Sequence, residues 1–570
     1  MTQFIKLILL SALFLQVNAI YAQSTYIPIN SWEYHLLDRL DIKSTDSGAF
    51  TLHSTKPHNR KYVTNYVQNL DSILTNYRYA SDYEITPVDR YNINKLLMGN
   101  TEWLTKQTKK YDSKKNLINR FYLTKNNFYS TNQPDFFVAI NPLIQQTQSV
   151  EMGNNKRVYL NSKGVEMRGL VGKKIGFYAM VTDNQENGPT FYAKRVDSLQ
   201  AVPGSGFYKP FLGPTGNFRG QDYFDYRGYI TFAPTKYIDV QYGYDKYFLG
   251  NGLNSLFLSD ISAPILGMKI NTKVWKLNYQ NLFMELNPTF TGGTGGAVLE
   301  RKYAAMHHLS INLAHGTTLG LFEGVIFKRR NKFDLAYLVP VIFYRSVESG
   351  LGSGDNAVIG ADFKTNFAEH FQAYGQALLD EFRLSNFKTR NWALKYGGQI
   401  GLKYIDVAAI KNLDMQLEWN IVRPFTYTHF DSATTYTHYN QPLAHPLGAN
   451  FSQLALVVKY QPTNKLSFDW RTFYITQGLD SSLRSRSTFG GNIFRQYQDR
   501  NKETQVILGQ GNRGLTVSTN FTASYELRTN LYFDAGLFYR HFTVNKLKNN
   551  NSLLFTAGVR LNMQRRPLDY

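Results

Sequence analysis

Polar and apolar residues alternate over most of the chain, from about residue 135 almost to its end. In residues 414–421 polar and apolar residues alternate strictly, so the carboxylates of Asp414 and Glu418 share the polar face. In 552–563 six apolar residues share one face, and Leu554 is the one apolar residue on the other. Successive side chains of a strand point to opposite faces, so this period of two predicts β-strands with one polar and one apolar face. Such strands occur in soluble sheets and also in outer-membrane barrels, where the apolar face meets lipid and the polar face meets the lumen.

Connection lengths separate these two possibilities. The pattern predicts about eighteen strands, near 135–149, 156–170, 174–183, 225–233, 236–246, 265–271, 273–284, 303–314, 317–328, 356–366, 369–381, 393–404, 412–422, 450–461, 465–476, 514–528, 530–543 and 551–563. The connections between them alternate between short ones and long ones, the long ones being 184–224, 247–264, 285–302, 329–355, 423–449 and 477–513. Short periplasmic turns and long outer loops are typical of an outer-membrane barrel. We therefore predict an all-β transmembrane barrel of about 18 antiparallel strands, spanning residues 131–570, with the long loops outside.

The first part of the chain has a different pattern. Val63, Val67 and Leu70 recur at helical spacing, Asp89 precedes a second such run, and 32–40 is a third candidate helix. Residues 23–130 are predicted to be a small α-helical segment on the periplasmic side or in the lumen. Before it, residues 1–22 combine Lys6, an apolar run and small residues at Ala19 and Ala22, which predicts a signal peptide and export to the outer membrane.

Composition removes several classes of protein. The chain has 40 Tyr and 39 Phe, no Cys, and a net charge of +21. Because the chain has no cysteine, zinc ribbons, iron–sulfur sites and disulfide scaffolds are excluded. The adjacent His307 and His308 would point to opposite faces of a strand, and the glycine run 292–296 lacks the Lys-Ser/Thr of a phosphate loop. We expect no cofactor, no metal and no catalytic residue, and no nucleic-acid partner, because the basic residues are dispersed in an exported chain.

Two long loops carry motifs. One runs from Tyr247 through Gly250, Gly252 and Ser255 to Pro264, and the other covers 439–450 with His-Pro-Leu-Gly-Ala-Asn at its end. Here the chain resembles the Wzi family of capsule-assembly outer-membrane proteins, and within it the RemB-like branch associated with gliding motility. Ala444 stands where that family has Gly, and Ala449-Asn450 where Pro-Asp is usual; these departures favour the RemB-like branch.

The resemblance implies an eighteen-stranded barrel, plugged by helices and loops, that binds polysaccharide at the cell surface without being an enzyme. Its role would be attachment or assembly of capsule or exopolysaccharide, and gliding motility. The implied partners are surface polysaccharide, outer-membrane lipid or lipopolysaccharide, and proteins of a gliding machinery. Amide, hydroxyl and aromatic side chains suit sugar hydroxyls and pyranose faces. The motif residues that would either bind glycan or constrict the lumen are Tyr247, Phe248, Asn251, Asn254, Ser255, Ser259, Tyr439, Asn440, Gln441, His445 and Asn450.

The long loop 477–513 is a second candidate surface. Its basic residues are interleaved with aromatic ones and include Arg484, Arg486, Arg495, Arg500 and Lys502. Arg side chains can hold carboxylates of an acidic polysaccharide through paired hydrogen bonds, although a solvated loop or contact with lipopolysaccharide phosphate is an equal alternative. Two other functions stay open at this point, a diffusion or substrate-specific porin and an outer-membrane hydrolase. No Gly-x-Ser-x-Gly motif supports the hydrolase.

Overall fold

A computed structural model describes residues 24–44, 53–76, 85–104, 109–113, 120–214, 216–288, 299–314, 316–330, 332–341, 343–381, 386–480, 487–545 and 548–566. The proposed signal peptide, 1–22, lies outside these ranges. The described residues contain eighteen long strands: β1 (Phe136–Glu151), β2 (Val158–Val171), β3 (Ile175–Asn187), β4 (Phe218–Thr235), β5 (Ile238–Asp245), β6 (Ile265–Val274), β7 (Leu277–Leu286), β8 (Lys302–Ala314), β9 (Thr317–Phe327), β10 (Asn356–Phe367), β11 (Phe371–Glu381), β12 (Lys395–Tyr404), β13 (Leu413–Val422), β14 (Phe451–Tyr460), β15 (Leu466–Leu479), β16 (Asn512–Arg528), β17 (Leu531–Val544) and β18 (Lys548–Leu561).

The strands form one closed antiparallel barrel, which confirms the predicted fold class. Each strand pairs with the next, and β18 pairs with β1 from Leu554 opposite Glu151 to Leu561 opposite Ile144. A short strand, Tyr129–Asn132, pairs with β1, and another, Lys209–Leu212, pairs with β4. Closure gives the backbone groups of the first and last strands a partner, so the barrel has no free edge.

The two faces of the wall follow the sequence alternation. On β13, Asp414, Glu418 and Asn420 are buried towards the lumen, whereas Leu417 and Trp419 are exposed on the exterior. Exposed apolar side chains recur on the exterior of most strands and together form an apolar belt, with Val165, Val181, Ile230, Leu321, Ile359, Ile400, Leu454, Trp470, Phe521, Leu537 and Phe555 among its members. A polar lumen inside an apolar exterior is the arrangement of a membrane-spanning barrel. Within the described residues, no helix combines the length and apolar character needed to cross a membrane.

The two ends of the barrel differ. At the turn end, connections such as 172–174, 275–276 and 529–530 are two or three residues long. At the loop end lie the long connections 188–217, 246–264, 287–301, 328–355, 423–450 and 480–511, while 152–157 and 545–547 are short there too. The chain enters β1 and leaves β18 at the turn end, as the predicted parity requires.

The N-terminal segment lies in the lumen and fills its turn-end half. Its described residues contain three α-helices, α1 (Trp32–Lys43), α2 (Arg60–Asn76) and α3 (Pro87–Gly99), packed on one another through buried apolar side chains. Helix α3 begins after Thr86, which caps it, and Asp89 occupies the third position and bonds back to the backbone N–H of Thr86. The lumen is one of the two positions that the sequence allowed for this segment. We call the described residues between 24 and 104 the plug.

A buried charge cluster fixes the plug to the wall. The guanidinium of Arg39 on α1 lies 2.9 Å from Asp89 of α3 and 3.0 Å from Asp406 at the turn end, and it also pairs with Asp414 of β13. Lys43 bridges Asp89 and Asp406 at 3.1 and 2.7 Å. Each buried carboxylate therefore has a cationic partner, the condition under which buried charges are tolerated.

Replacing Arg39 should loosen the plug. Arg39→Met leaves Asp89 and Asp406 with Lys43 as their shared cation and removes the guanidinium partner of Asp414. Breaking a buried pair typically costs about 3–5 kcal/mol. We expect faster protease cleavage within residues 24–104 of the detergent-solubilised barrel, measured as the rate of loss of the full-length band. Arg90→Met, at a partly exposed pair with Asp71, is the control and should leave the rate nearly unchanged. Equal rates for both variants would contradict the anchoring role of Arg39.

Candidate functional site at the loop end of the barrel

Two long loops at the loop end fold into the lumen, which is the lumen-constricting alternative that the sequence left open for their motif residues. We call them the first inner loop (246–264) and the second inner loop (423–450). The ring of Phe257 stacks on Phe322 of β9 with 4.6 Å between centroids, and the hydroxyls of Tyr427 and Tyr436 donate to the backbone of the first loop at 2.7 and 2.6 Å. The apolar run 256–258 becomes fully buried this way. Burial of that apolar surface is the physical reason for the inward fold.

Polar side chains of the lumen wall hold the first inner loop in place. Gln376 of β11 accepts from the backbone N–H of Leu256 at 2.8 Å and donates to the carbonyl of Leu249 at 2.9 Å. Glu418 of β13 accepts from the backbone N–H of Leu253 at 2.8 Å. The carboxylate pair Asp414 and Glu418, which the sequence places on one face, therefore serves two partners, the plug and the loop.

The two serines of the first motif bond within their own loop. The hydroxyl oxygen of Ser255 accepts from the backbone N–H groups of Phe257 and Leu258 at 2.9 and 3.2 Å, and its hydroxyl donates to the carbonyl of Leu249. Ser259 accepts from the backbone N–H of Ser255 at 2.7 Å. Both side chains are buried, so they shape the loop from inside.

The start of the same motif joins the loop to the plug. Phe248–Leu249 forms a two-residue antiparallel strand pair with Thr55–Lys56 of the plug, and the ammonium of Lys56 lies 4.9 Å from the centre of the Phe248 ring. Tyr247 is buried beside it. The plug and the first inner loop thus meet inside the barrel and occupy the lumen from both ends.

The second motif ties several loops together. Tyr439 and Asn440 form a left-handed turn (φ 47° and 56°) between the short strands Thr437–His438 and Gln441–Pro442. Asn440 donates to the carbonyl of Leu199 at 2.8 Å, and Gln441 accepts from the backbone N–H of Gly204 at 2.7 Å. The ring of Tyr439 is half-buried and meets Phe207 edge to face at 5.3 Å. Of the second motif, Tyr439 is the candidate that reaches the surface.

His445 and Asn450 are buried at the end of the second motif. A ring nitrogen of His445 lies 2.9 Å from the amide oxygen of Gln453, and burial lowers the pKa of His445 to about 3, so the ring is neutral at pH 7. The Asn450 side chain donates to the carbonyls of Gly478 and Gln510 at 3.1 and 3.0 Å and accepts from the N–H of Gly509 at 2.7 Å. Its backbone is left-handed (φ 57°), a conformation that Asn adopts more readily than most residues.

One space left in the lumen is a cavity of about 420 Å³ between the plug, the inner loops and the wall, with most of its wall residues on β1–β4. Asn251, Asn254 and Gln441 are the motif residues that line it. Four acidic residues also line it, Asp38, Glu166, Asp225 and Asp260, against nine basic ones, Lys56, Arg195, Arg227, Lys246, Lys403, Lys459, Arg471, Arg565 and Arg566. A good part of the net positive charge is therefore inside the barrel. Sequence reasoning missed this concentration, although Lys403, Lys459 and Arg471 sit at lumen-facing positions of the alternating strands.

Two arginines of the basic loop pair with acidic residues of the same loop. Arg495 lies 3.3 Å from Asp499 and 3.9 Å from Asp480, and Arg500 pairs with Glu503. Lys502 is exposed at the loop end, whereas Arg484 and Arg486 lie outside the described residues.

Trp392, which the sequence analysis did not single out, forms an aromatic pair with Tyr497 of this loop. Trp392 and Tyr497 have ring centroids 4.7 Å apart, and the Arg500 guanidinium lies 4.5 Å from the Trp392 ring centre. All three side chains are partly exposed. Trp392 stands in a short connection without a recognisable motif, so the sequence offered no signal for it. Among the described residues, no group of three or more His, Asp and Glu side chains is arranged to hold a metal ion.

Comparison with known proteins relates the chain to solved barrels by fold. No protein-family model matches the chain, and no curated protein does. The fold is similar to that of Wzi from Escherichia coli, described as an outer membrane protein involved in group 1 capsule assembly and a carbohydrate-binding β-barrel. The TM-score is 0.54 and the identity 13%, over 95% of this chain and 100% of that one. OprD from Pseudomonas aeruginosa and OccAB4 from Acinetobacter baumannii also match, with TM-scores of 0.40 at 10% and 9% identity, over 74% and 76% of this chain and 94% and 98% of theirs. The chain thus has a Wzi-like outer-membrane barrel fold.

The inner loops should stay closed at neutral pH and open in acid. Burial lowers the pKa of His438 and of His445 to about 3, while a histidine in an opened loop has its ordinary pKa of about 6.5. The opened form therefore binds protons more readily. The free energy that favours the closed loop is fully present above about pH 6.5 and decreases as the pH falls towards 3. We expect constant low conductance in planar bilayers from pH 8 to 6.5 and rising conductance below.

The variant His445→Gln removes one of the two groups and should shift the conductance rise to lower pH. A conductance that does not depend on pH down to 3 would contradict this account.

Proposed function

We propose that this protein acts at the cell surface, in the outer membrane, by attaching exopolysaccharide or capsule or by helping to assemble it through non-covalent glycan binding. The observation that carries the proposal is the occupation of the lumen from both ends, by the plug and by the first inner loop paired with it at Thr55–Lys56 and Phe248–Leu249. A lumen filled in this way leaves the loop-end surface as the part that can meet a large polymer. The Wzi-like fold supports the same function by analogy.

We also propose a more specific role, in gliding motility. The segment 444–450 resembles the RemB-like branch, so we propose that the surface polysaccharide is used in gliding motility and that the loops contact proteins of a gliding machinery. The loop end would face outwards and the turn end the periplasm, as the short and long connections of such barrels are usually arranged. Export through residues 1–22 is part of this proposal.

The partly exposed group of Trp392, Tyr497, Arg500 and Lys502 is the surface that we propose for glycan contact. An indole face suits stacking on a pyranose ring. Arg500 and Lys502 can bond carboxylates of an acidic glycan, and charge-assisted bonds are about twice as strong as neutral ones. The buried motif residues take an indirect part here, because Asn450 and the second inner loop hold the connections around this surface in position.

Removing the two cations should weaken the retention of acidic polysaccharide. A lost contact of about 1.5 kcal/mol corresponds to roughly a tenfold weaker binding, so Arg500→Ala with Lys502→Ala should release most cell-bound polysaccharide into the medium. The control is Lys236→Ala with Lys276→Ala, two exposed lysines at the turn end. A deletion strain is scored in parallel for bound polysaccharide and for gliding. Unchanged polysaccharide in the deletion strain would refute the proposed function, and unchanged polysaccharide in the double variant alone would remove this surface from it.

One observation favours a second candidate function, a substrate-specific porin for anions. The remaining cavity is lined by nine basic and four acidic residues and extends from the plug to the loops. Conductance in planar bilayers discriminates between the two candidates. Large, stable, anion-selective openings of the unmodified protein at neutral pH would support the porin and contradict the filled lumen.

A further inference from the structure

Three polar residues lie side by side on the exterior of the barrel wall. Asn281 of β7 is opposite His307 of β8, and His307 is opposite Glu323 of β9. Outward neighbours on these strands, Phe283 and Val325, are apolar. Towards β10, Glu323 is opposite Ile359, an exposed member of the apolar belt. The polar row thus lies at the height of the belt, where contact with hydrocarbon would leave its groups without partners at a cost of several kcal/mol each.

The long connection 328–355, which we call the flap, covers this row. It folds over the outer wall instead of into the lumen, and it carries helix α4 (Tyr344–Leu351). The Glu323 carboxylate accepts from the backbone N–H groups of Tyr344 and Arg345, both at 2.9 Å, and lies 3.0 Å from a ring nitrogen of His307. The ring of His307 stacks on Tyr344 at 4.4 Å. The first N–H groups of α4 and the Glu323 carboxylate therefore satisfy each other, and Glu323 in turn bonds to His307.

Apolar packing holds the rest of the flap to the wall. Tyr337 and Tyr344 are fully buried with Phe283, Tyr303 and Phe327, which are exterior residues of the wall. The ring centroids of Phe327 and Tyr337 are 4.7 Å apart. The flap is accordingly a packed part of the exterior.

The outer surface of the flap is apolar too. Leu335, Val341 and Phe343 are 74%, 84% and 75% exposed, and Leu338, Val339 and Leu351 are exposed beside them. A patch of this kind on a protein surface marks an interaction site. The position of this patch indicates lipid as the partner. The flap lies at the height of the apolar belt, and its outer surface continues the apolar surface of Ile359 and its neighbours.

We propose that the flap is embedded in the membrane and that its outer apolar surface contacts the acyl chains of the loop-end leaflet. The flap begins with the basic residues Lys328, Arg329, Arg330 and Lys332, directly after β9 ends at the loop end. Lys328 pairs with Glu300, and Arg329 pairs with Asp334 and Asp355. Arg330 and Lys332 are exposed there and placed to meet lipid phosphates, which attract basic clusters. The lipid occupant is favoured over a second copy or another protein by this continuity with the belt and by the charge at the end where headgroups lie. The inference rests on the proposed membrane location of the barrel.

The absence of cysteine makes a labelling test direct. Phe343→Cys and Val341→Cys place a single thiol on the flap, Leu417→Cys places one on the belt of β13, and Lys502→Cys places one on the loop-end surface. Each full-length variant carries an environment-sensitive fluorophore in phosphatidylcholine–phosphatidylglycerol vesicles. Quenching is measured with doxyl-labelled phospholipid and with aqueous iodide. We expect the flap labels to behave like the Leu417 label, with doxyl quenching at least twofold above that of the Lys502 label and correspondingly weaker iodide quenching.

Each other outcome has a defined meaning. Lack of doxyl quenching at Leu417 would refute the membrane-spanning barrel itself. Doxyl quenching at Leu417 together with iodide quenching of the flap labels would overturn the flap inference and leave the barrel intact. Flap labels protected from both quenchers would show a protein cover, a second copy or another partner, and would also overturn it.

A second variant tests the attachment of the flap. Glu323→Ala removes the acceptor of two α4 N–H groups, so in the Phe343→Cys background it should increase iodide quenching and decrease doxyl quenching. Glu323→Gln retains one acceptor oxygen and should preserve more of the lipid contact. Identical quenching in all three backgrounds would contradict the role of the polar row in placing the flap.

Discussion

The pairing of β18 with β1 is the constraint on which the rest of the structure depends. A sheet in hydrocarbon must satisfy every backbone N–H and C=O within itself, and closure of the eighteen strands does so without a free edge. Closure also creates an inside and an outside with opposite solvation. The plug, the inner loops and the flap are three consequences, because each covers part of a wall whose side chains would otherwise lack a suitable partner.

The polar lumen explains the use of the motif residues. The side chains of Gln376 and Glu418 accept hydrogen bonds from backbone N–H groups of the first inner loop. Leu256 and Phe257 of the same loop become buried. The hydroxyl of Ser255 also hydrogen-bonds within this loop. Amides and hydroxyls that look suited to sugars in the sequence thus turn inwards, and the surface that we propose for glycan contact is built from neighbours such as Trp392 that belong to no motif.

On the exterior the wall is apolar, and the residues that need a cover are polar. The polar row of Asn281, His307 and Glu323 on an apolar wall requires a cover, and the flap provides backbone donors for Glu323 and an aromatic face for His307. The abundant Tyr and Phe are consequently divided among three places. Some lie on the belt, some fill the lumen, such as Phe257 and Tyr436, and some, such as Tyr337 and Tyr344, fasten the flap to the wall.

The sequence by itself determined the strands, their number, the faces of each strand and the N-terminal helices, because these depend on residue periodicity and on connection lengths that can be read locally. It also placed Asp414 and Glu418 together on the lumen face. Only the tertiary structure decided that the two inner loops fold inwards, that 328–355 folds over the outer wall, and that much of the positive charge lines the lumen. These outcomes depend on contacts between residues far apart in the chain, such as Glu323 with Tyr344 or Thr55 with Leu249, and no local pattern encodes them.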